Sequence, residues 1–143
     1  MEKTVRLSKA TKYVSIRALF VWFILIAAEI VHGILRALAL VPMVGEFRSN
    51  QIGVFTGSAI ILVIAYFTIR WIGAKRLNEL LLVGMIWLML TVAFEVLFGR
   101  FVVRLTWEEL LAGYNIANGG LMPMGLLILL FGPMIASKLR EKR

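Results

Sequence analysis

Four apolar stretches, each about as long as a membrane crossing, alternate with short polar segments along this chain. Spanning a hydrocarbon core takes about 20 apolar residues as an α-helix. The stretches at about 16–41, 52–72, 78–100 and 121–138 meet that requirement. Pro42 closes the first, because proline disfavours helix in the residue before it and cannot donate the next helical hydrogen bond. Gly73 and the Lys75–Arg76 pair break the second. Asn78 is placed to cap the third. Pro123 is tolerated in the first turn of the fourth. The pattern predicts an all-α membrane protein: one domain over residues 1–143, built as a four-transmembrane-helix bundle.

A polar line interrupts the first stretch. Glu29, His32, Gly33 and Arg36 fall on one face of a helix that turns about 100° per residue. Ionisable groups are costly in a lipid core and usually face a bundle interior or a wet cavity. A related pattern, Ala-x-Glu-(Ile/Val)-(Val/Leu)-x-Gly, occurs at 27–33 and again at 93–99, offset by 66 residues. The same offset pairs Gly53 with Gly119. It suggests two tandem helical hairpins of the same orientation, related about an axis along the membrane normal. In the second copy Phe98 stands where the first has His32, and Val102 where it has Arg36. Glu95 therefore needs a partner from elsewhere. The expectation is a buried cluster of Glu29, His32, Arg36 and Glu95, with Asn115 and Asn118 reaching it from the mouth of the bundle.

Two further local signals change the picture. Thr106-Trp107-Glu108-Glu109 fits a capping box, in which a hydroxyl caps a helix and a Glu three residues on reaches back. It predicts a short helix from Trp107 to about Gly113, with Trp107 and Tyr114 at an interface. Gly53-x-x-x-Gly57 is a pattern that lets helices approach closely, either between copies or inside one bundle. Gly33 and Gly99 are read as helix-packing positions as well.

Composition agrees with membrane residence. The chain is 61% hydrophobic with a mean hydropathy of +0.90, against about 45–50% apolar residues in soluble domains. The net charge of +8 is concentrated before the first stretch, between the second and third, and at the C-terminus. The positive-inside rule then places both termini in the cytoplasm, in a bacterial-type inner (plasma) membrane. Anionic headgroups suit these flanking charges better than nucleic acid does. The first apolar stretch runs on past Glu29 to Val41, which is long for a cleaved leader. The absence of cysteine excludes disulfides, thiol catalysis and iron–sulfur ligation.

Three functional readings follow. The leading one is a membrane-embedded structural element or complex subunit, self-associating or docked on other chains. The second is a proton-linked or passive path for a small polar solute, in which Glu29, His32, Arg36 and Glu95 bind proton or solute. The third is an intramembrane enzyme or metal protein. Glu29-x-x-His32 has the spacing of carboxylate-bridged di-metal bundles, but one His and two Glu make a poor ligand set. No metal and no cofactor is therefore expected, and the enzyme reading is disfavoured.

Overall fold

The computed structural model describes residues 1–142, and in them the backbone forms six α-helices and one 3-10 turn, with no strand. The helices are α1 (Glu2–Ala39), α2 (Val41–Val44), α3 (Glu46–Ile72), α4 (Leu77–Phe101), α5 (Trp107–Ala112) and α6 (Met122–Glu141), and the 3-10 turn covers Ile116–Asn118. Four of them, α1, α3, α4 and α6, are long and apolar enough to cross a membrane. In the most apolar window of each, 22% of residues are buried, so most of that surface looks outward.

The ends of the helices differ instructively from the apolar stretches. α1 starts at Glu2, well before residue 16. Residues 2–32 contain neither Gly nor Pro, so nothing in the basic leader interrupts the helical hydrogen bonding. Hydropathy marked the apolar part of this helix and missed its polar extension. At 1.5 Å per residue, α1 is about 57 Å long. Its first twelve residues, 2–13, are all exposed. Pro42 does close α1, by way of Leu40, and sits in the first turn of α2. The N-cap of α4 is Arg76, not Asn78. Glu79 does the capping chemistry, its Oε2 accepting from the backbone N–H of Lys75 at 2.9 Å and of Arg76 at 3.1 Å.

The four long helices form a ring in the order α1, α3, α6, α4. α1 packs on α3 and α4, α6 packs on the same two, and α1/α6 and α3/α4 are the diagonals. The chain thus folds as two hairpins, α1–α3 and α4–α6, laid side by side. A two-fold axis along the bundle would put α1 and α4 at opposite corners. They are neighbours instead, so the hairpins are related by a sideways shift, and the rotation expected from the 66-residue offset is corrected. The α1–α4 seam is fixed by two indoles: Trp22 Nε1 donates to Thr91 Oγ1 at 3.0 Å, and Trp87 Nε1 to the Ala18 carbonyl at 2.9 Å.

The buried apolar residues all lie in one half of this ring. Val14, Ala18, Val21, Trp22 and Leu25 come from α1, Ile61, Ala65, Ile69 and Ile72 from α3, Leu80, Val83 and Trp87 from α4, and Leu129 and Ala136 from α6. The near four-residue spacings put each set on one helix face. In this half α4 and α6 meet backbone to backbone, since a methyl group at Gly84 would run into the Leu130 carbonyl. The same half carries the basic segments. Arg17 donates to the Trp71 carbonyl at 2.7 Å and lies over the Trp71 ring; Arg70 donates to the Arg140 carbonyl at 3.2 Å. Guanidinium groups on the last carbonyls of helices satisfy acceptors that the helix leaves open.

Candidate functional site: the polar seam between α1 and α3

The other half of the ring is held differently. Glu29, His32 and Arg36 project from α1 onto α3, and all three are half-buried. α3 meets them with its smallest residues. A Cβ at Gly57 would lie 3.0 Å from Glu29 Oε2 and 3.4 Å from His32 Cε1, and one at Gly53 would lie 2.7 Å from Arg36 Cδ. The Gly53-x-x-x-Gly57 groove is thus filled by polar side chains of the same chain. Gly33, expected at a helix contact, faces open space: a Cβ there would meet nothing within 4 Å. Gly99 packs, but against the loop helix, with its Cβ position 2.6 Å from Leu110 Cδ2.

Each polar group has a specific neighbour. His32 Nδ1 lies 3.1 Å from Glu29 Oε2, and His32 Nε2 lies 2.7 Å from Thr56 Oγ1. Thr56 Oγ1 in turn is 3.1 Å from the Ile52 carbonyl and 3.3 Å from that of Gly53. Arg36 donates to Ser49 Oγ at 3.2 Å and also to Asn50 Oδ1. Ser49 is fully buried, the only polar side chain in the core of the described residues. One atom lacks a partner: Glu29 Oε1 is shielded from solvent and makes no hydrogen bond.

Glu95 is half-buried on α4 and is met from the loop. Tyr114 Oη donates to Glu95 Oε2 at 2.8 Å. Burial first, and the bond to Glu95 second, push the Tyr114 phenol above its ordinary range, so it stays protonated and remains a donor. Glu95 and Glu29 stand on neighbouring helices, α4 and α1. The tryptophan pairings put α1 residue i near α4 residue i + 69, so the backbone positions of Glu29 and Glu95 differ in height by about 4.5 Å, three residues of rise. Phe98 stacks on Phe94 at 5.2 Å, apolar where the first hairpin has its imidazole.

The expected four-residue cluster is therefore split into three contacts. Arg36 turns to α3 and forms no ion pair with either carboxylate among the described residues. Glu29 and His32 pair on their own helix. Glu95 is held by Tyr114. Asn115 and Asn118 are exposed in the loop, and no side-chain hydrogen bond joins them to the carboxylates. Burial is partial throughout, which corrects the picture of a sealed cluster. No three His, Asp or Glu side chains converge to hold a metal among the described residues.

Ser49, Asn50 and Thr56 were not singled out in the sequence. Their signal is the spacing Ser49, Gly53, Thr56, Gly57: small and hydroxylic residues at helical intervals on one face of α3, opposite a charged line on α1. The loop that carries Tyr114 was legible. Thr106 Oγ1 accepts from Glu109 N at 3.2 Å, and Glu109 Oε2 accepts from Thr106 N at 2.8 Å, the predicted capping box. Arg100 donates to the Leu105 carbonyl at 2.8 Å and lies 4.8 Å over the Trp107 ring, closing the turn in which Arg104 takes a positive φ of 61°.

Neither a protein-family model, nor a curated protein, nor a solved structure matches this chain.

Proposed function

We propose that this chain is a small polytopic membrane protein that acts as a membrane-embedded structural element or subunit of a larger complex. One observation carries the reading: two of the three polar side chains on this face of α1, His32 and Arg36, are bonded across the seam to α3. Arg36 is engaged by Ser49 and Asn50, and His32 by Thr56, while the Tyr114 bond ties the loop to α4. Polar contacts between membrane helices are worth about 0.6–2 kcal/mol each. That is enough to set which faces meet, on a bundle whose apolar surface is mostly turned outward. The basic end, with Arg70, Lys75, Arg76, Lys138 and Arg140, would sit among anionic headgroups on the cytoplasmic side, with both termini there.

The test is size and composition under gentle extraction. The tagged chain, expressed at its natural level, is solubilised in mild detergent and its particle mass measured against the 16.1 kDa of one chain. A particle of fixed stoichiometry, either several copies or this chain with a defined second protein, supports the reading. A monodisperse single chain that moves solute in liposomes would overturn it.

A further inference from the structure

We propose that the groove between the basic ends of α1 and α3 holds one anionic phospholipid, its phosphate on the Arg17 guanidinium and an acyl chain along Ile16 and Phe20. The site rests on the chain lying in a membrane with this end at the headgroups, and not on its being a subunit. Tyr13, Ile16, Arg17, Phe20 and Trp71 line the groove. The first four come from α1, where spacings of three and four keep them on one face. No carboxylate is among them.

The groove exists because two neighbouring helices end at different heights. α3 stops at Ile72, with Gly73 in the left-handed conformation as its C-cap. Arg17 donates to the Trp71 carbonyl and is therefore level with that end. α1 runs on beyond Arg17 to Glu2, about 22 Å at 1.5 Å per residue. The end of α3 is thus a step, and the exposed flank of α1 is the wall above it. Lys9 stands on that wall one turn above Tyr13, exposed and without an ion pair among the described residues.

Arg17 is a positioned cation without a counter-ion. Its Nη1 donates to the Trp71 carbonyl at 2.7 Å, its guanidinium carbon lies 5.2 Å from the centre of the Trp71 ring, and no carboxylate pairs with it among the described residues. A guanidinium has five N–H donors. The remainder of this fork is open to an oxyanion, and its geometry suits the two-point hold of a phosphate. The order of side chains along α1 follows that of a phospholipid. Lys9 lies in water, Tyr13 and Trp71 at the depth where aromatic rings keep one edge wet, and Ile16, Phe20 and Ile24 continue downward as an exposed apolar track. A zwitterionic lipid brings its own cation to a groove that has one already and no acid to receive a second. An anionic lipid leaves its phosphate charge to Arg17. A soluble anion would gain nothing from Ile16 and Phe20.

The test is native mass spectrometry of the full chain released from nanodiscs of phosphatidylglycerol and phosphatidylcholine in equal amounts. The expected result is one phosphatidylglycerol retained per chain and not displaced by inorganic phosphate. Retention should fall about tenfold in Arg17→Gln, as for the loss of one charge-assisted hydrogen bond. It should be unchanged in Lys138→Gln, which lies on α6 across the diagonal from α1. Equal retention of the two lipids, displacement by phosphate, or the same loss in Lys138→Gln would overturn the proposal. Because Arg17→Gln also loses its bond to α3, the unmodified chain is irradiated with phosphatidylglycerol bearing a diazirine in its acyl chain. Peptide mapping should place the adducts on Ile16, Phe20 and Trp71, with several-fold less labelling there by phosphatidylcholine of the same chain. Equal labelling by both lipids, or adducts spread alike over all four long helices, would count against the site. A chain that did not enter nanodiscs at all would overturn the membrane reading and the site with it, a failure distinct from equal retention.

Discussion

The two halves of this bundle are held by different forces. In the basic half, fifteen buried apolar residues form one continuous core, and α4 and α6 touch through their backbones at Gly84. In the polar half, no apolar side chain is fully buried, and the contacts are a carboxylate, an imidazole, a guanidinium and a phenol finding partners across seams. Glycine serves both halves for opposite ends. At Gly84 it admits another backbone, which cannot yield. At Gly53 and Gly57 it admits flexible polar side chains, which can. The basic half is therefore a fixed platform, and the polar half is adjustable.

Substitutions should rank accordingly. Trp87→Ala removes a fully buried indole and its bond to Ala18; a loss of about 3–5 kcal/mol is expected, read as collapse of the thermal transition in detergent. A similar loss from a change in the polar half would erase the distinction. Gly57→Leu fills the space of Glu29 and His32 and should cost about 1–3 kcal/mol. Arg36→Ala leaves Ser49 buried without its donor, at about 0.6–2 kcal/mol, and the smaller loss expected for the Arg36→Ala/Ser49→Ala pair gives a double-mutant check. Tyr114→Phe removes one hydrogen bond, about 0.5–1.5 kcal/mol. Its clearer readout is faster proteolysis of the 103–120 loop, and an unchanged cleavage rate would show that the loop is held by something else. Gly33→Ala, in open space, should leave stability unchanged or raise it by up to about 1 kcal/mol through helix propensity.

The sequence made the basic half legible and the polar half only partly so. Long apolar runs with positive flanks define helices because hydropathy and length are local properties. The Thr106–Glu109 box is local too, and it formed as read. Partner choice is not local. Arg36 turned to Ser49 and Asn50 because α1 lies against α3 in the ring, with Gly53 opening the space for it. Glu95 found Tyr114 because a folded loop brings residue 114 back over α4. The helical extension of α1 was missed for another reason: hydropathy reports where lipid would be, whereas helix formation depends on the absence of Gly and Pro, which residues 2–32 satisfy.

The ring order has a consequence for how the protein is made. Helices adjacent in sequence are expected to settle against each other as they emerge, yet α3 and α4 are joined by four residues and stand on a diagonal. Before α6 is made, α1 can pack on both α3 and α4, but the faces of α3 and α4 that meet α6 have no partner. Of the four long helices, α6 is made last, and it closes the ring. Closure of the ring thus waits on α6, and products cut short before Met122 should be recognised as unfinished by membrane quality control.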